Sequence, residues 1–193
     1  MGALRAGFHG TVGQPSAQVI DGSLKFDSGA TNYLKKTPYV GNRKTWTISF
    51  WVKRSEGTSN EPGIFSTFAG SNPAFTCYFN AQDNLRIYEY TSTYVCQLIT
   101  DQVFRDYNSW YHIVISADTT SSSPDVSDRL KVYVNGVRVT DFDTATVSYP
   151  GSNVELDWNT AYEHNIGKHV NTYDGNISNF YHIDGHSFGP EYF

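Results

Sequence analysis

The stretch RLKVYVNGVRVTDF, residues 129–142, carries the strongest local signal of the fold. Leu130, Val132 and Val134 occupy every second position, which is the period of a strand with one buried face. The Asn-Gly pair at 135–136 follows directly, and such a pair supplies the positive φ angles of a tight type I′ turn. This stretch therefore predicts a β-hairpin.

The same alternation recurs along the chain. It is clearest in WTISFWVKR, residues 46–54, where Trp46, Ile48, Phe50 and Val52 share one face. Further strand-like runs occupy residues 24–26, 64–68, 75–80, 85–90, 94–99, 110–116, 164–167 and 177–184. Short strands that begin about ten residues apart, with turns between them, are typical of a β-sandwich or barrel.

Length and composition agree with this interpretation. The chain has 193 residues, which suits one domain. Aromatic residues make up 16% of it and charged residues 17%, with 16 glycines, a balance that favours strands and turns over helices. We therefore expect an all-β fold, a two-sheet antiparallel jelly-roll sandwich, over residues 20–193.

Residues 1–19 differ from the rest because they show no sustained period of 2 or 3.6 and are interrupted by glycine and proline. We interpret them as an extended N-terminal arm. Four apolar residues would let this arm dock onto a neighbouring protein: Leu4, Phe8, Val12 and Val19.

Charge and hydropathy exclude two classes of partner. The net charge is −5 and no basic run is longer than Lys35-Lys36, so we expect no nucleic acid partner. No stretch approaches the roughly 20 apolar residues that span a bilayer, and the chain start lacks an apolar signal core. We therefore expect neither membrane insertion nor secretion by a signal peptide.

The two cysteines lie in separate predicted strands. Cys77 and Cys96 are too few for a disulfide framework in a domain with a core of its own. We expect buried free thiols that pack as small apolar residues, with a Cys77–Cys96 disulfide as the alternative.

An ordered set of motifs carries a resemblance to a known family. In chain order they are SLKFDSGATNYLKKTP, NRKTWTISFWVKRS, IFS, WYHIVISADTT, RLKVYVNGVRV, NIGKHV and GNISNFYHIDG, within residues 23–193. This order resembles the laminin-G-like branch of the concanavalin A-like jelly rolls. More narrowly, GNRKTWTISFWVKRS, WYHIV and the closing IDG are similar to modules of structural proteins in bacteriophages, especially marine ones.

The narrower resemblance implies a non-enzymatic virion structural protein. We expect a capsid decoration protein, or a tail or fibre protein, that is made in the host cytoplasm and resides in the virion. The arm would attach it to other virion proteins of the capsid or tail. Self-association into a homo-oligomer stays open, because sheet edges must be paired or blunted.

The alternative function is carbohydrate binding in receptor recognition, with a host-surface glycan as the partner. Three aromatic residues in or at the end of the irregular stretch 143–162 are the candidates for stacking on sugar rings: Tyr149, Trp158 and Tyr162. The competing interpretation for each is structural, and Trp158 in particular would then anchor the loop on the sandwich.

A hydrolase is the least favoured function. The segment Glu155-Leu-Asp-Trp-Asn159 resembles the Glu-x-Asp-x-Glu strand of laminarinase-type enzymes, in which the first and last carboxylates act on the sugar bond. Asn159 replaces the last carboxylate here, and an amide cannot donate a proton to the leaving oxygen. We therefore assign no catalytic residues.

Calcium is the one cofactor that the resemblance brings in, since lectin-like jelly rolls often hold it at a loop rim. The candidate oxygen ligands are Asp27, Asn32, Asp174 and Asn176. The same residue types also dominate turns for conformational reasons, and that interpretation is the stronger one.

Overall fold

The computed structural model describes residues 21–29, 32–55, 61–70 and 72–193. The predicted arm, with its apolar Leu4, Phe8, Val12 and Val19, lies outside these residues. No helix in the described part of the chain is long and apolar enough to cross a bilayer.

The described residues form thirteen strands in two sheets. In chain order the strands are β1 (Leu24–Phe26), β2 (Leu34–Lys36), β3 (Thr45–Arg54), β4 (Pro62–Ala69), β5 (Asn72–Phe79), β6 (Asn84–Tyr90), β7 (Tyr94–Val103), β8 (Tyr111–Asp118), β9 (Leu130–Val134), β10 (Val137–Arg138), β11 (Glu163–Ile166), β12 (Asn171–Thr172) and β13 (Gly175–Asp184). The first sheet has the order β1-β13-β3-β8-β9-β10, and the second has the order β2-β11-β4-β5-β6-β7. Neighbouring strands in both orders are antiparallel, while β12 joins β4 in parallel. The predicted two-sheet sandwich is confirmed.

The predicted hairpin is confirmed as β9 and β10. Asn135 has φ of 50° and Gly136 has φ of 83°, the positive angles that the turn requires. The alternation also predicts the longer strands correctly. It does not identify β2 or β12, because LKK and NT, unlike LKF in β1, have no two apolar residues at alternate positions.

The core lies between the inward faces of the two sheets. Trp46, Ile48, Phe50 and Val52 of β3 are fully buried, as their alternation predicts. Aromatic contacts join the sheets: the Trp46 and Phe75 ring centroids are 5.3 Å apart, and an edge contact of 5.7 Å joins Phe50 to Phe65 on β4. Each buried large side chain contributes about 1.5–3 kcal/mol, so this face supplies much of the stability.

Both cysteines belong to this core as free thiols, as predicted. Cys77 lies on β5 and Cys96 on β7, and β6 separates these two strands. Burial raises the pKa of both thiols well above the ordinary value, so they stay protonated and pack as apolar groups.

The residues after β13 cover part of the outer face of the first sheet. The Thr47 hydroxyl donates to the His186 carbonyl oxygen at 2.7 Å and accepts from the Phe188 amide at 2.8 Å. The hydroxyls of Ser116 and Ser187 lie 2.6 Å apart. These bonds satisfy outward-facing polar groups that the alternation alone would leave in solvent.

A second covering segment, residues 168–172, crosses the outer face of β4. The Ser66 hydroxyl donates to the Lys168 carbonyl oxygen at 2.6 Å. The backbones approach so closely at Gly63 that a Cβ there would lie 2.2 Å from the His169 amide nitrogen. Glycine is therefore required at position 63 for this segment to pack on the sheet.

Substituting Gly63→Ala should lower the free energy of unfolding by about 2 kcal/mol, because the new methyl group meets the backbone of the covering segment. Gly22→Ala is the matched control, since a Cβ at Gly22 has no atom within 4 Å. Urea denaturation of both variants measures the effect. An unchanged midpoint for Gly63→Ala would contradict the tight packing of residues 168–172.

Candidate functional site

The structure does not gather the three predicted aromatic residues into one surface. Trp158 is only 2% exposed, and its ring packs 5.0 Å from that of Phe65 between the sheets. Trp158 therefore follows the structural interpretation, in which the residue anchors its loop on the sandwich, and its ring offers no exposed face to a sugar. Tyr149 is half-buried beside Phe142, while Tyr162 is half-buried next to β11.

The four predicted calcium ligands form hydrogen bonds within turns and between neighbouring chain segments. Asp27, Asn32 and Asp174 come together at one corner, where the Asn32 side-chain oxygen accepts from the Asp27 amide at 3.0 Å. Asp174 accepts from the Ser28 hydroxyl at 3.2 Å, and the Asn176 amide group donates to the Ser23 hydroxyl. No group of three or more His, Cys, Asp or Glu residues in the described chain is placed to hold a metal ion. These residues fit turns better than a preformed calcium site.

The segment that resembles a hydrolase strand forms no strand. Residues 155–159 are irregular, and both acidic side chains bind Arg43, with Glu155 at 3.0 Å and Asp157 at 2.8 Å. The Asn159 amide group donates to Asp184 at 2.6 Å. The segment thus fixes the loop to the start of β3 through Arg43.

One further carboxyl group lies inside the sandwich. Glu89 faces inward on β6 and is 1% exposed, and its Oε2 accepts from the Asp157 amide at 2.7 Å. Burial raises its pKa from 4.5 to about 8, although the hydrogen bond from Asp157 acts in the opposite direction. This group is closed off from solvent, and its hydrogen bond holds the loop in place.

The outer face of the second sheet presents a different arrangement, which we call the tyrosine–arginine face. Its members lie on three adjacent strands and on the covering segment: Tyr78 on β5, Arg86, Tyr88 and Tyr90 on β6, Tyr94 and Gln97 on β7, and His169. The strand register places Tyr78 opposite Arg86 and Tyr88 opposite Gln97. Side chains opposite each other in antiparallel strands share one face.

Arg86 is the centre of this face. Its Nη1 donates to the Tyr78 hydroxyl at 2.8 Å, and its Nη2 donates to the Tyr94 hydroxyl at 2.9 Å and to Gln97 Oε1 at 3.1 Å. The guanidinium carbon also lies 4.9 Å from the ring centroid of Tyr88. Burial disfavours its charge, but the tyrosine oxygens outweigh burial and raise the pKa of Arg86. The guanidinium is therefore charged and held in one orientation.

His169 closes one side of the face. Its ring stacks on Tyr78 with centroids 5.1 Å apart, and its Nε2 lies 3.1 Å from the Tyr88 hydroxyl. Burial lowers the pKa of His169, so the ring is neutral near pH 7. This contact couples the covering segment to the tyrosines.

Solvent reaches the other side of the face, where two rings are open. Tyr90 is 44% exposed and Tyr94 is 48% exposed, with their centroids 5.1 Å apart. Tyr88 is half-buried beside them. The arrangement offers exposed aromatic surface next to a fixed positive charge and tyrosine hydroxyls, and these groups can stack on a polar ring and bond its substituents.

Sequence reasoning missed this face, although β6 carried a signal for it. In NLRIYEY, residues 84–90, the apolar Leu85 and Ile87 alternate with Arg86, Tyr88 and Tyr90. The sequence alone could therefore predict that these three side chains point to the outer face of the sheet. The contacts of Arg86 and Tyr88 with Tyr78, Tyr94 and His169 could not be predicted from the sequence. Those residues meet only through strand pairing and the covering segment.

The two antiparallel sheets define the protein as an all-β jelly-roll sandwich. A family model described as the concanavalin A-like lectin/glucanases superfamily matches residues 27–184. The chain belongs to this superfamily. A search of curated proteins gives no match.

Solved structures with the same fold come from several kinds of protein. A heptameric SAP-like pentraxin from Limulus polyphemus has a TM-score of 0.57 at 15% identity, covering 82% of this chain and 73% of that one. Domain 4 of the arabinanase AbnA from Geobacillus stearothermophilus, solved with arabinotriose, has a TM-score of 0.51 at 16% identity, covering 81% and 67%. Trypanosoma rangeli sialidase with sialic acid has a TM-score of 0.52 at 11% identity, covering 76% of this chain and 22% of that one. At these identities the likeness is one of fold.

Glu89 gives the stability of the protein a defined pH dependence. Its pKa is about 8 in the folded chain against an ordinary 4.5, so unfolding between these values releases a proton and stability falls as pH rises. Glu89→Gln removes this loss. The difference in free energy of unfolding, Glu89→Gln minus wild type, should therefore grow as pH rises between these two pKa values, by up to about 1.4 kcal/mol per pH unit.

Urea denaturation at pH 5, 6, 7 and 8 measures this difference. Glu155→Gln, a matched change at an exposed carboxylate, should leave the pH profile close to that of wild type. A difference between Glu89→Gln and wild type that stays constant with pH would refute the raised pKa.

Proposed function

We propose that this protein is a non-catalytic carbohydrate-binding module whose site is the tyrosine–arginine face. One observation carries the proposal: the exposed rings of Tyr90 and Tyr94 stand beside an Arg86 guanidinium held by three hydrogen bonds. Membership of a lectin and glucanase superfamily supports this class of ligand.

The arrangement suits a sugar because it is preorganised. Aromatic rings bind the apolar C–H faces of a pyranose or furanose, while hydroxyl and guanidinium groups bond its oxygens. A side chain that is already immobilised pays little further conformational entropy on binding. Arg86 and its partners meet this condition before any ligand arrives.

The non-catalytic part of the proposal rests on the carboxylates. Glu155 and Asp157 both bind Arg43, Glu89 is closed inside the core, and position 159 carries an amide. A glycosidase needs two carboxyl groups on either side of the scissile bond. The described residues near the tyrosine–arginine face do not display such a pair.

Tyr94→Ala tests the site, because it removes an exposed ring and one partner of Arg86. Affinity electrophoresis and a glycan array, each with and without calcium, should show at least a fivefold loss of affinity, about 1 kcal/mol. Tyr94→Phe keeps the ring and should retain most of the binding. The matched control is Tyr39→Ala, since Tyr39 is 96% exposed and lies outside this face.

Three outcomes would refute the proposal. One is the absence of binding to any glycan by the wild-type protein. Another is an equal loss in Tyr39→Ala and Tyr94→Ala, which would place the binding elsewhere. The third is release of reducing sugar that vanishes in Glu155→Gln, which would make the protein an enzyme.

The virion setting remains a second proposal, supported by the ordered resemblance to phage structural modules. The sandwich would be displayed on a capsid as a decoration protein, or on a tail or fibre, and residues 1–19 would attach it to other virion proteins. There the tyrosine–arginine face would hold the particle near a host-surface glycan.

Deleting residues 1–19 should abolish incorporation into virions while leaving glycan binding intact, because the deleted residues carry attachment only. Immunoblotting of purified particles measures incorporation. Particles that retain the shortened protein at the wild-type level would overturn the anchoring role.

A further inference from the structure

A histidine joins the irregular residues 155–162 to β11. The His164 ring lies on β11, and its Nε2 is 3.2 Å from the Asn159 backbone nitrogen. On its other side, its Nδ1 is 2.9 Å from the Tyr162 carbonyl oxygen. Both contacts run from the ring to the segment that precedes the strand, so His164 closes the end of the loop onto the sheet.

The two partners fix which nitrogen of the His164 ring carries the proton. A carbonyl oxygen only accepts, so Nδ1 must donate to Tyr162. A backbone amide only donates, so Nε2 must accept from Asn159 through its lone pair. The ring is therefore neutral, in the Nδ1–H tautomer, and a second proton on Nε2 would point one N–H group at another.

The side chains that flank the His164 ring on three strands are uncharged or cationic. Lys36 on β2 and Thr67 on β4 lie opposite His164 in the strand register, and opposite residues share one face. From β13, His182 contacts the Trp158 ring at 5.6 Å between centroids, as His164 does at 4.5 Å. One flanking group is a cation, one becomes a cation in acid and one is uncharged, so none stabilises a positive charge on the ring.

The carboxylates around the loop are held by other donors: Glu155 and Asp157 by Arg43, Glu163 by Lys35, and Asp184 by the Asn42 amide and the Asn159 side chain. His164 itself is half-buried. Burial lowers the pKa of His164, although the bond to Tyr162 acts in the opposite direction. The ring is therefore neutral at pH 7 and gains its second proton below the ordinary pKa of 6.5.

Asn159 connects the histidine to two other parts of the sandwich. Its carbonyl oxygen accepts from the Gly41 amide at 2.9 Å. Its side-chain amide donates to the Asn42 carbonyl oxygen at 3.0 Å and to Asp184, at the end of β13, at 2.6 Å. A change at the Asn159 amide therefore acts on the chain before β3 and on β13 as well as on β11.

We propose that His164 and Asn159 form an acid-sensitive contact, which we call the histidine latch. When Nε2 of His164 gains a proton, it no longer accepts from the Asn159 amide, and two N–H groups face each other. Residues 158–162 then leave β11, while Arg43 keeps the start of the loop in place. Trp158 lies where the released part begins, so acid loosens its packing. The histidine latch is separate from the tyrosine–arginine face and does not depend on sugar binding.

The ¹⁵N-labelled wild-type protein tests the histidine latch without any substitution. A long-range ¹H–¹⁵N spectrum of the imidazole rings distinguishes the two neutral tautomers, and at pH 7.5 His164 should be in the Nδ1–H form. Its titration midpoint should lie below the ordinary value. Protection of the Asn159 backbone amide against hydrogen exchange, corrected for the intrinsic effect of pH, should fall roughly tenfold along the same titration.

Two variants separate the proton from the hydrogen bond. His164→Gln offers a side-chain oxygen as acceptor but gains no proton, so protection of Asn159 should change by less than about twofold between pH 7.5 and pH 5. His164→Leu removes the acceptor, and protection should be low at both pH values. His182→Gln is the matched control, because His182 is an exposed histidine that contacts the same Trp158 ring. It should keep the pH dependence of the wild-type protein.

Three results would rule out the histidine latch. An Nε2–H tautomer at His164 would contradict the direction of its hydrogen bonds. Protection of the Asn159 amide that stays constant through the His164 titration would show that the two are not coupled. A fall of equal size in wild type and His164→Gln would assign the acid effect to other groups.

Discussion

The fold depends on one constraint, the burial of every second side chain of the central strands between two sheets. Trp46, Ile48, Phe50 and Val52 are fully removed from water, and Trp46 and Phe50 contact aromatic rings from the opposite sheet. Because apolar burial is the dominant favourable term in folding, this alternation selects which face of each strand points inward. Every other feature of the molecule is placed relative to that choice.

The tyrosine–arginine face consists of the side chains that the same alternation leaves on the outer side of the second sheet. If β6 slipped by one residue, Arg86 and Tyr88 would enter the core and Ile87 would face solvent, a change that costs far more than any surface contact returns. Strand register therefore holds Arg86 opposite Tyr78 as firmly as it holds the core. Side chains on regular strands are preorganised because the stability of the sheet and the geometry of its outer face depend on the same pairing.

Two polar groups, the Glu89 carboxyl and the Trp158 indole nitrogen, lie inside a sandwich core that is otherwise mainly apolar. Glu89 occupies an inward position and keeps its proton to a pH near 8, while its hydrogen bond to the Asp157 amide fixes a loop that Arg43 also holds. Trp158 enters the core from that loop, and its indole nitrogen has no hydrogen-bond partner among the described residues. Both residues secure an irregular segment that lies outside the named strands, at some cost in stability.

The sequence by itself determined the class of fold, the longer strands and the hairpin at 135–136, because period-two burial and turn chemistry are local properties. It also determined the two buried free thiols. Only the tertiary structure decided that Trp158 lies in the core and that Arg86, Tyr94 and His169 form one face. These residues come from distant parts of the chain, and their meeting depends on strand order and on a covering segment that no local pattern records.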